Sequence, residues 1–543
     1  MAAPLSVFDH QPVRDRQRHR AARGEDRLGS LPDDMIHLVL RRLDTRSALA
    51  TATLSRRWAR LPRELPVLDF KVRDVLPERY RRYLRRRADV ANRCGSSGTS
   101  IFKIQKLDLL LGRYERRGMR SLAASLAGFL DADDNIEPHR RVQRVSLEIF
   151  PTHHTGSWNR LVATAIGRWG VEDLEVIILN PDERHGAASY SFPHRYLDAH
   201  LADDGKVMLK SLKLSNCAPH AFGLDANLPP SCAFSALAML VLQDMPMSTP
   251  RRVYEGVISA CPALEVLHLR SCGCHRRCLV VDAPGSRITE LLVELTGDTL
   301  GMIDLRALPR LERLTCMGAP LQLKFGSVPR LARLNLAYDE DASTIAPGAR
   351  SMYTLSKFLD LPSLEDLVIR FTGPQMWVTP SRSAPQLGKL KRLRVADMAP
   401  SWDITWTRYL LEAAPFLETL HIHVAVDDDD AGSGGAVASK LIRWSPSSSL
   451  EFKHRRLGEV VVWGFKGTWR QVHFVRFLRR ACTALRDVVL LRNGRVREKG
   501  LLDWETVAAK HEYQWIEVER RSVMRKIEGA DAIACCTSRI VLR

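Results

Sequence analysis

The nine residues Pro262-Ala-Leu-Glu-Val-Leu-His-Leu-Arg270 hold a spacing that recurs along much of the 543-residue chain. Leu267 and Leu269 stand two apart, so on an extended backbone they point to one side while His268 points to the other. Leu264, three positions earlier, closes the turn that leads into the strand. Pro262 ends any preceding helix and biases its neighbour toward an extended conformation. One such strand cannot bury its apolar side alone, so copies must stack.

Copies follow in both directions. The spacing L-x-x-L-x-L, or a close variant, appears at Leu209/Leu212/Leu214, Leu237/Leu240/Leu242, Leu331/Leu334/Leu336, Leu364/Leu367/Ile369, Leu390/Leu393/Val395 and Leu417/Leu420/Ile422. Weaker copies sit at Ile104/Leu107/Leu109, Val142/Val145/Leu147, Ile288/Leu291/Val293, Leu311/Leu314/Cys316, Leu457/Val460/Val462 and Leu485/Val488/Leu490. The period is irregular, roughly 20–40 residues, within the range of solenoid arrays. Proline again precedes the opening leucine at Pro309, Pro329, Pro362 and Pro415, and Val253–Ala260 and Trp406–Ala413 read as helices before the stop. Helix, proline, strand is the order of a leucine-rich repeat. The predicted fold class is therefore α/β, an irregular leucine-rich-repeat solenoid (a horseshoe).

A different pattern lies ahead of the repeats, in Asp26-Arg-Leu-Gly-Ser-Leu-Pro-Asp-Asp-Met-Ile-His-Leu-Val-Leu-Arg-Arg-Leu43. Ser30 with Asp33 forms a capping-box-like pair, Pro32 sits near the first turn, and Met35, Ile36, Val39, Leu40 and Leu43 share a helical face. Ala48–Leu54 and Ser55–Leu61 read as two further short helices stopped by Pro62. Three helices in about forty residues bury little on their own and gain stability from a partner. Leu31-Pro32, the apolar helix and Leu54-Ser-Arg-Arg-Trp58 resemble the F-box of the large plant family. The resemblance implies docking to a Skp-type adaptor, and through it to a cullin/RING ligase core, by Leu31, Pro32, Ile36, Leu40, Leu43, Ala48, Leu54 and Trp58. One departure is Pro62, where the family often carries tryptophan. At the other end, Leu457–Gly467, Val472–Ala481 and Leu485–Leu490 read as strand, helix and strand, and resemble the FBD region of plant F-box proteins.

These readings divide the chain into a basic tail (1–24), an F-box (25–65), a linker or helical connection (66–100), the repeats (101–455) and an FBD-like terminal repeat with a cap (456–543). Composition fits. The content is 45% hydrophobic, enough for a folded chain, and the net charge is +19. Eleven scattered cysteines suit a reducing compartment, and no apolar run reaches membrane-spanning length, so the expectation is an intracellular protein, cytoplasmic or nuclear or both.

Other signals weigh little. Cys272, Cys274, His275 and Cys278 lack a second ligand pair at zinc-finger spacing, so no metal is expected. Asp427–Gly435 is an acidic loop without the closing carboxylate of a calcium site. No nucleophile elbow, P-loop or dinucleotide fingerprint occurs, so neither catalytic residues nor a cofactor is assigned. The basic runs Arg14–Arg20, Arg81-Arg82 and Arg85–Arg87 read as solvated faces or an import signal, with nucleic acid set aside as a partner. The expected function is the substrate-recruiting subunit of a Skp–cullin–F-box ubiquitin ligase, a receptor and not an enzyme. Its unidentified target protein would meet outward strand residues such as Lys213, His268, Arg270, Asn335, Arg394, His421 and His423. The competing reading is a basic repeat scaffold, or nucleic-acid-associated protein, without ligase coupling.

Overall fold

The computed structural model describes residues 30–93, 98–134, 140–151, 155–179, 192–193, 208–217, 234–296, 300–319, 321–339, 361, 363–372, 387–398, 404, 407–425, 452–492, 494–499, 503–507, 515–528 and 538–543. The chain divides into two compact units, Met1–Leu65 and Pro66–Arg543.

The first unit holds α1 (Asp33–Leu40), α2 (Thr45–Ala50) and α3 (Arg56–Arg60). Pro32, not Ser30, occupies the N-cap of α1, and no side chain caps that end. Asp33 instead pairs with Arg57 at 2.6 Å, and Arg57 also donates to the Leu31 carbonyl, so α3 is tied to the start of α1. Asp44 caps α2 by accepting from the Ser47 N–H at 2.9 Å, and the Ser47 hydroxyl and N–H hold its carboxyl below the usual range. Ser55 caps α3 by accepting from the Trp58 N–H. Pro62 does not end the segment outright, because the chain continues as a 3-10 turn over Leu61–Glu64.

The second unit opens with β1 (Val67–Lys71), α4 (Glu78–Arg93) and α5 (Gly98–Asp134). There follow β2 (Arg144–Ile149), α6 (Thr155–Gly167), β3 (Asp173–Ile178), β4 (Ser211–Ser215), β5 (Met239–Gln243) and β6 (Val266–Arg270). Next come β7 (Cys278–Asp282), β8 (Glu290–Leu295), β9 (Met302–Ala307), β10 (Arg313–Gly318), β11 (Gln322–Ser327) and β12 (Arg333–Asp339). The chain goes on through β13 (Asp366–Thr372), β14 (Arg392–Met398), β15 (Thr419–Val424), β16 (Glu459–Trp463) and β17 (Asp487–Leu491). It ends with β18 (Arg495–Lys499), β19 (Asp503–Val507) and β20 (Arg539–Leu542).

Fifteen of these strands make one open parallel sheet, in the order β1-β2-β3-β4-β5-β6-β8-β10-β12-β13-β14-β15-β16-β17-β20. The register is set by the repeated leucines. Leu212, Leu240, Leu267, Leu291, Leu314, Leu334, Leu367, Leu393 and Leu420 stand in one column, and all are buried. Each apolar side chain covers its neighbour in the next repeat, and the slanted ladder satisfies both edges of every interior strand.

The connections vary with the length available. Helices fill the longer ones, including Arg251–Ala260, Thr407–Ala413 and Trp469–Ala481. Between β6 and β12 the repeats are too short for a helix, and β7, β9 and β11 form a second, three-stranded parallel sheet instead. Pro309 and Pro329 therefore follow strands, whereas Pro262 and Pro415 follow helices, as predicted. The tight exits from β10 and β16 require glycine. Gly318 and Gly464 have φ of +84° and +72°, and a Cβ on either would lie about 2 Å from the Leu295 or Val424 carbonyl oxygen.

Two sequence assignments are corrected. Ile104, Leu107 and Leu109 belong to the 37-residue helix α5, not to a repeat strand, because buried Leu107, Leu111, Leu122, Leu126 and Leu130 recur at helical spacing. The sheet also begins inside 66–100: β1 pairs with β2 from Val67↔Arg144 to Lys71↔Glu148, where a connection was expected.

His454 fixes the last repeats to each other. Its Nδ1 accepts from the Leu457 N–H at 3.1 Å, and its Nε2 lies 2.9 Å from the Ala414 carbonyl, to which it donates. Burial holds its pKa below the ordinary 6.5, against the opposing pull of the Ala414 bond, and His421 is shifted the same way by burial. As pH falls below about 6.5 the unfolded chain takes up these protons before the folded one does, so stability is full above that pH and declines beneath it. The melting temperature is expected to drop between pH 7.5 and pH 5, and His454→Gln to reduce that drop; an unchanged pH profile in the variant would refute the assignment.

Candidate functional site

Two surfaces qualify, one in each unit. In the first, α1 is apolar around most of its circumference, and the structure splits its side chains. Ile36 and Leu40, four apart, are buried, while Met35, Leu38 and Val39 face solvent at 48%, 55% and 40% exposure. Leu43 (40%) and Leu54 (65%) join them as exposed large apolar residues. Of the predicted adaptor contacts, Pro32, Leu43 and Leu54 are exposed and Leu31 is half-buried. Ile36, Leu40, Ala48 and Trp58 are buried in the chain. Sequence reasoning missed Leu38 and did not separate Met35 and Val39 from the buried stripe; a helix apolar on two sides was the available signal.

In the second unit, the residues between paired leucines line the outward face. Ser146, Glu175, Lys213, Val241, His268, Leu292, Thr315, Asn335, Val368, Arg394 and His421 share one register column. Lys213, His268, Asn335, Arg394 and His421 are thus brought together, and Arg270 and His423 lie one pleat further along their strands.

Cross-strand ion pairs lace this face. Glu175 takes Lys213 at 2.8 Å and Arg144 at 2.9 Å; burial pushes its carboxyl up, but these partners outweigh it and hold the pKa low. His268 meets Glu290 at 3.1 Å, and Arg270 meets Glu294 at 3.5 Å. Asp397, at a positive φ of 51°, receives Arg370 on one oxygen and His423 at 3.1 Å on the other. Burial again works against its charge, and these two partners keep its pKa lowered.

The centre of the face is covered. His268 and Asn335 are buried, and so is His423, although all three were expected to meet a target. For His423 the cause is visible. Its Nδ1 lies against the Asp397 carboxylate, and its Nε2 lies 3.0 Å from the Gly494 carbonyl, which leads into the antiparallel hairpin of β18 and β19. Val496 of that hairpin packs on Ala337 and Val368 beside Met317. Lys213, Arg270, Arg394 and His421 keep partial exposure.

In the cysteine cluster, Cys272 and Cys274 are buried. Cys272 and Cys274 donate to the Leu242 and Cys278 carbonyls, and burial pushes their thiols up to about 12 and about 11. Among the described residues no group of three or more His, Cys, Asp or Glu is placed to hold a metal, and no helix is long and apolar enough to cross a membrane. Arg14–Arg20 and Asp427–Gly435 lie outside the described residues.

Known proteins match this arrangement in two blocks. Residues 28–69 match the F-box domain, and residues 139–496 match the leucine-rich-repeat domain of At1g61320/AtMIF1. The class is that of a plant-type F-box and leucine-rich-repeat protein. The chain belongs to the At1g61320/AtMIF1 leucine-rich-repeat domain family. Over 51 residues it is 45% identical to the F-box/FBD/LRR-repeat protein At5g53840 of Arabidopsis thaliana, a match spanning 9% of this chain and only 12% of that relative. Among solved structures, a chain of the Drosophila Toll–Spätzle complex aligns over 66% of this chain and 48% of its own length, at 14% identity. Its TM-score of 0.30 is too low to bear on shared architecture.

The covering of the outward face yields a test. His423→Ala removes the bond to Gly494, so amide hydrogen exchange in 494–499 is expected to accelerate roughly 5- to 10-fold, about 1–1.5 kcal/mol of local opening, while β14 to β16 stay protected. Equal exchange in variant and wild type would show that this bond does not hold the hairpin.

Proposed function

We propose that the chain is the substrate-recruiting F-box subunit of a Skp–cullin–F-box ubiquitin ligase. In this reading it performs no chemistry; it holds a target protein beside the conjugating machinery and makes their encounter local. Ligases of this kind work inside the cell, which carries with it a cytoplasmic or nuclear location.

The observation that supports the reading best is the exposed set Met35, Leu38, Val39, Leu43 and Leu54 on a module of three short helices. Helical residues displayed at i, i+3 and i+4 suit docking against an apolar groove, and burying each is worth roughly 1.5–3 kcal/mol before the costs of association. Leu31, Pro32, Leu43 and Leu54 then touch the Skp-type adaptor together with Met35, Leu38 and Val39. Ile36, Leu40, Ala48 and Trp58 act from beneath by fixing the helices. Lys213, Arg270, Arg394 and His421 are retained as target contacts, since they share the outward face and remain partly exposed. Residues 456–543 are read as an FBD-like terminal repeat, supported by β16, the helix Trp469–Ala481 and β17 continuing the sheet.

Titration calorimetry of the full chain against a Skp-type adaptor tests this. Leu38→Asp with Leu54→Asp is expected to weaken binding at least about 100-fold, or ~2.7 kcal/mol, without shifting the melting temperature. Trp58→Ala is expected to lower the melting temperature as well, because Trp58 is buried. Absence of adaptor binding by the wild-type chain, or undiminished binding by the double variant, would overturn the proposal.

A further inference from the structure

Basic residues that the sequence keeps about thirty positions apart meet on one helix pair. The stretch 78–134, covering α4 and α5, carries thirteen Lys and Arg against seven Asp and Glu. Tyr80 donates from its hydroxyl to Glu115 at 2.9 Å, Tyr83 lies 6.1 Å from Tyr114 between ring centres, and Arg87 reaches Asp108 at 2.6 Å. These pairs make the helices antiparallel, in a register that sets Arg79 level with Arg116 and Arg117, and Arg82 level with Arg113. On α5 the buried stripe is Leu107, Leu111, Met119, Leu122 and Leu126; at 100° per residue, Arg113, Arg117 and Arg120 fall on the opposite side. On α4, Arg79, Arg82 and Arg86 likewise turn away from buried Tyr80, and all of these arginines are exposed.

The charge is uncompensated. Arg81 meets Glu78 at 3.6 Å and Arg87 is taken up by Asp108. Among the described residues no carboxylate lies within ion-pair distance of Arg79, Arg82, Arg86, Arg113 or Arg117. On the outward face of the sheet, by contrast, Arg144, Lys213 and Arg270 each face a carboxylate. Like charges stacked along and between helices repel, so the arrangement costs stability unless an anion lies against it. The guanidinium fork matches phosphate bidentately, and two rows running roughly 10–16 Å along the helices suit a continuous polyanion better than a single small ion.

We propose that the α4–α5 face binds the phosphate backbone of nucleic acid without reading its sequence. Phosphate contacts position a strand and carry no base information. The α4–α5 face shares no residue with the proposed adaptor or target contacts, so its success or failure is independent of the ligase reading. The sequence treated Arg81-Arg82 and Arg85–Arg87 as a solvated run because nothing in it shows that α5 brings a second row alongside.

The test is fluorescence anisotropy of a labelled 20-base-pair duplex of random sequence, titrated with the full chain from about 50 to 300 mM salt. The logarithm of the binding constant is expected to fall with the logarithm of salt at a slope of about −4 to −5, near −0.9 per neutralised phosphate. A quadruple variant, Arg79→Gln, Arg82→Gln, Arg113→Gln and Arg117→Gln, is expected to bind at least 10-fold more weakly at 100 mM salt, with the slope shallower by about 3. The corresponding Arg→Lys quadruple keeps the charge and is expected to keep most of the slope. A control removing exposed cations elsewhere, Arg310→Gln, Lys324→Gln, Arg330→Gln and Lys389→Gln, is expected to bind as the wild type does. The proposal is overturned if the wild type shows no salt-dependent binding, or if the control loses as much as the quadruple variant. It is equally overturned if phosphatidylserine vesicles, and not the duplex, are what the wild type retains and the Gln variant loses.

Discussion

A parallel β-strand with one apolar side has no stable existence by itself. Its leucines need a neighbour on the core face, and both its edges need a hydrogen-bonding partner. Stacking fifteen strands in one register meets both demands with the same contact, since the residue that covers Leu267 from one side, Leu240, belongs to the strand that pairs with its backbone. The cost of an irregular period then falls on the connections alone. A helix fits between β5 and β6, a strand fits between β8 and β10, and neither choice alters the leucine column. The outward face inherits its order from that column. Lys213 and His421 lie eight strands apart in the sheet yet share a row because the leucines beside them do.

That constraint also explains what the sequence disclosed. The leucine column was legible because its period of two inside each copy survives any change in loop length. Strands that depart from leucine were not found. β1 carries Leu65, Leu68 and Phe70 at the same spacing, but directly behind the helical module, where it reads as a tail. β3 uses Val171, Leu174 and Val176, and β20 offers only Arg539–Leu542. The opposite error, at Leu107 and Leu109, arose because one short apolar phrase fits both a strand and a helix. Only the continuation through Leu122, Leu126 and Leu130 at intervals of four decides for α5. At the candidate sites the side of the sheet was legible, but accessibility was not. His423 is buried by Gly494, seventy-one residues further along the chain, and local spacing holds no record of so distant a segment.

Electrostatics on the outward face and on the helix pair follow opposite rules. Across the sheet, adjacent strands place Arg144, Glu175 and Lys213, or His268 and Glu290, within reach of each other, so each charge meets its counter-charge from the next repeat. Charges paired in this way largely cancel at long range, so such a face exerts little net attraction. On α4 and α5, Glu115 and Asp108 are turned inward to Tyr80 and Arg87, and among the described residues no carboxylate pairs with Arg79, Arg82, Arg113 or Arg117.

The first unit shows how little of an apolar surface a small module can keep for itself. On α1, Ile36 and Leu40 are buried while Met35, Leu38 and Val39, on the same two turns, stay in water. Three short helices have no second layer to lay over the outer stripe, so their stability has to come from elsewhere. Part of it comes from polar ties, with Asp33 holding Arg57 and Asp44 capping its own helix. Those ties fix the angle between α1 and α3 without covering either apolar flank, and they leave Leu54 at the junction largely exposed. Had the sequence favoured solitary stability, polar residues at Leu38 and Leu54 would have cost nothing in packing. Leu38 and Leu54 are therefore the side chains on which the proposed adaptor contact turns.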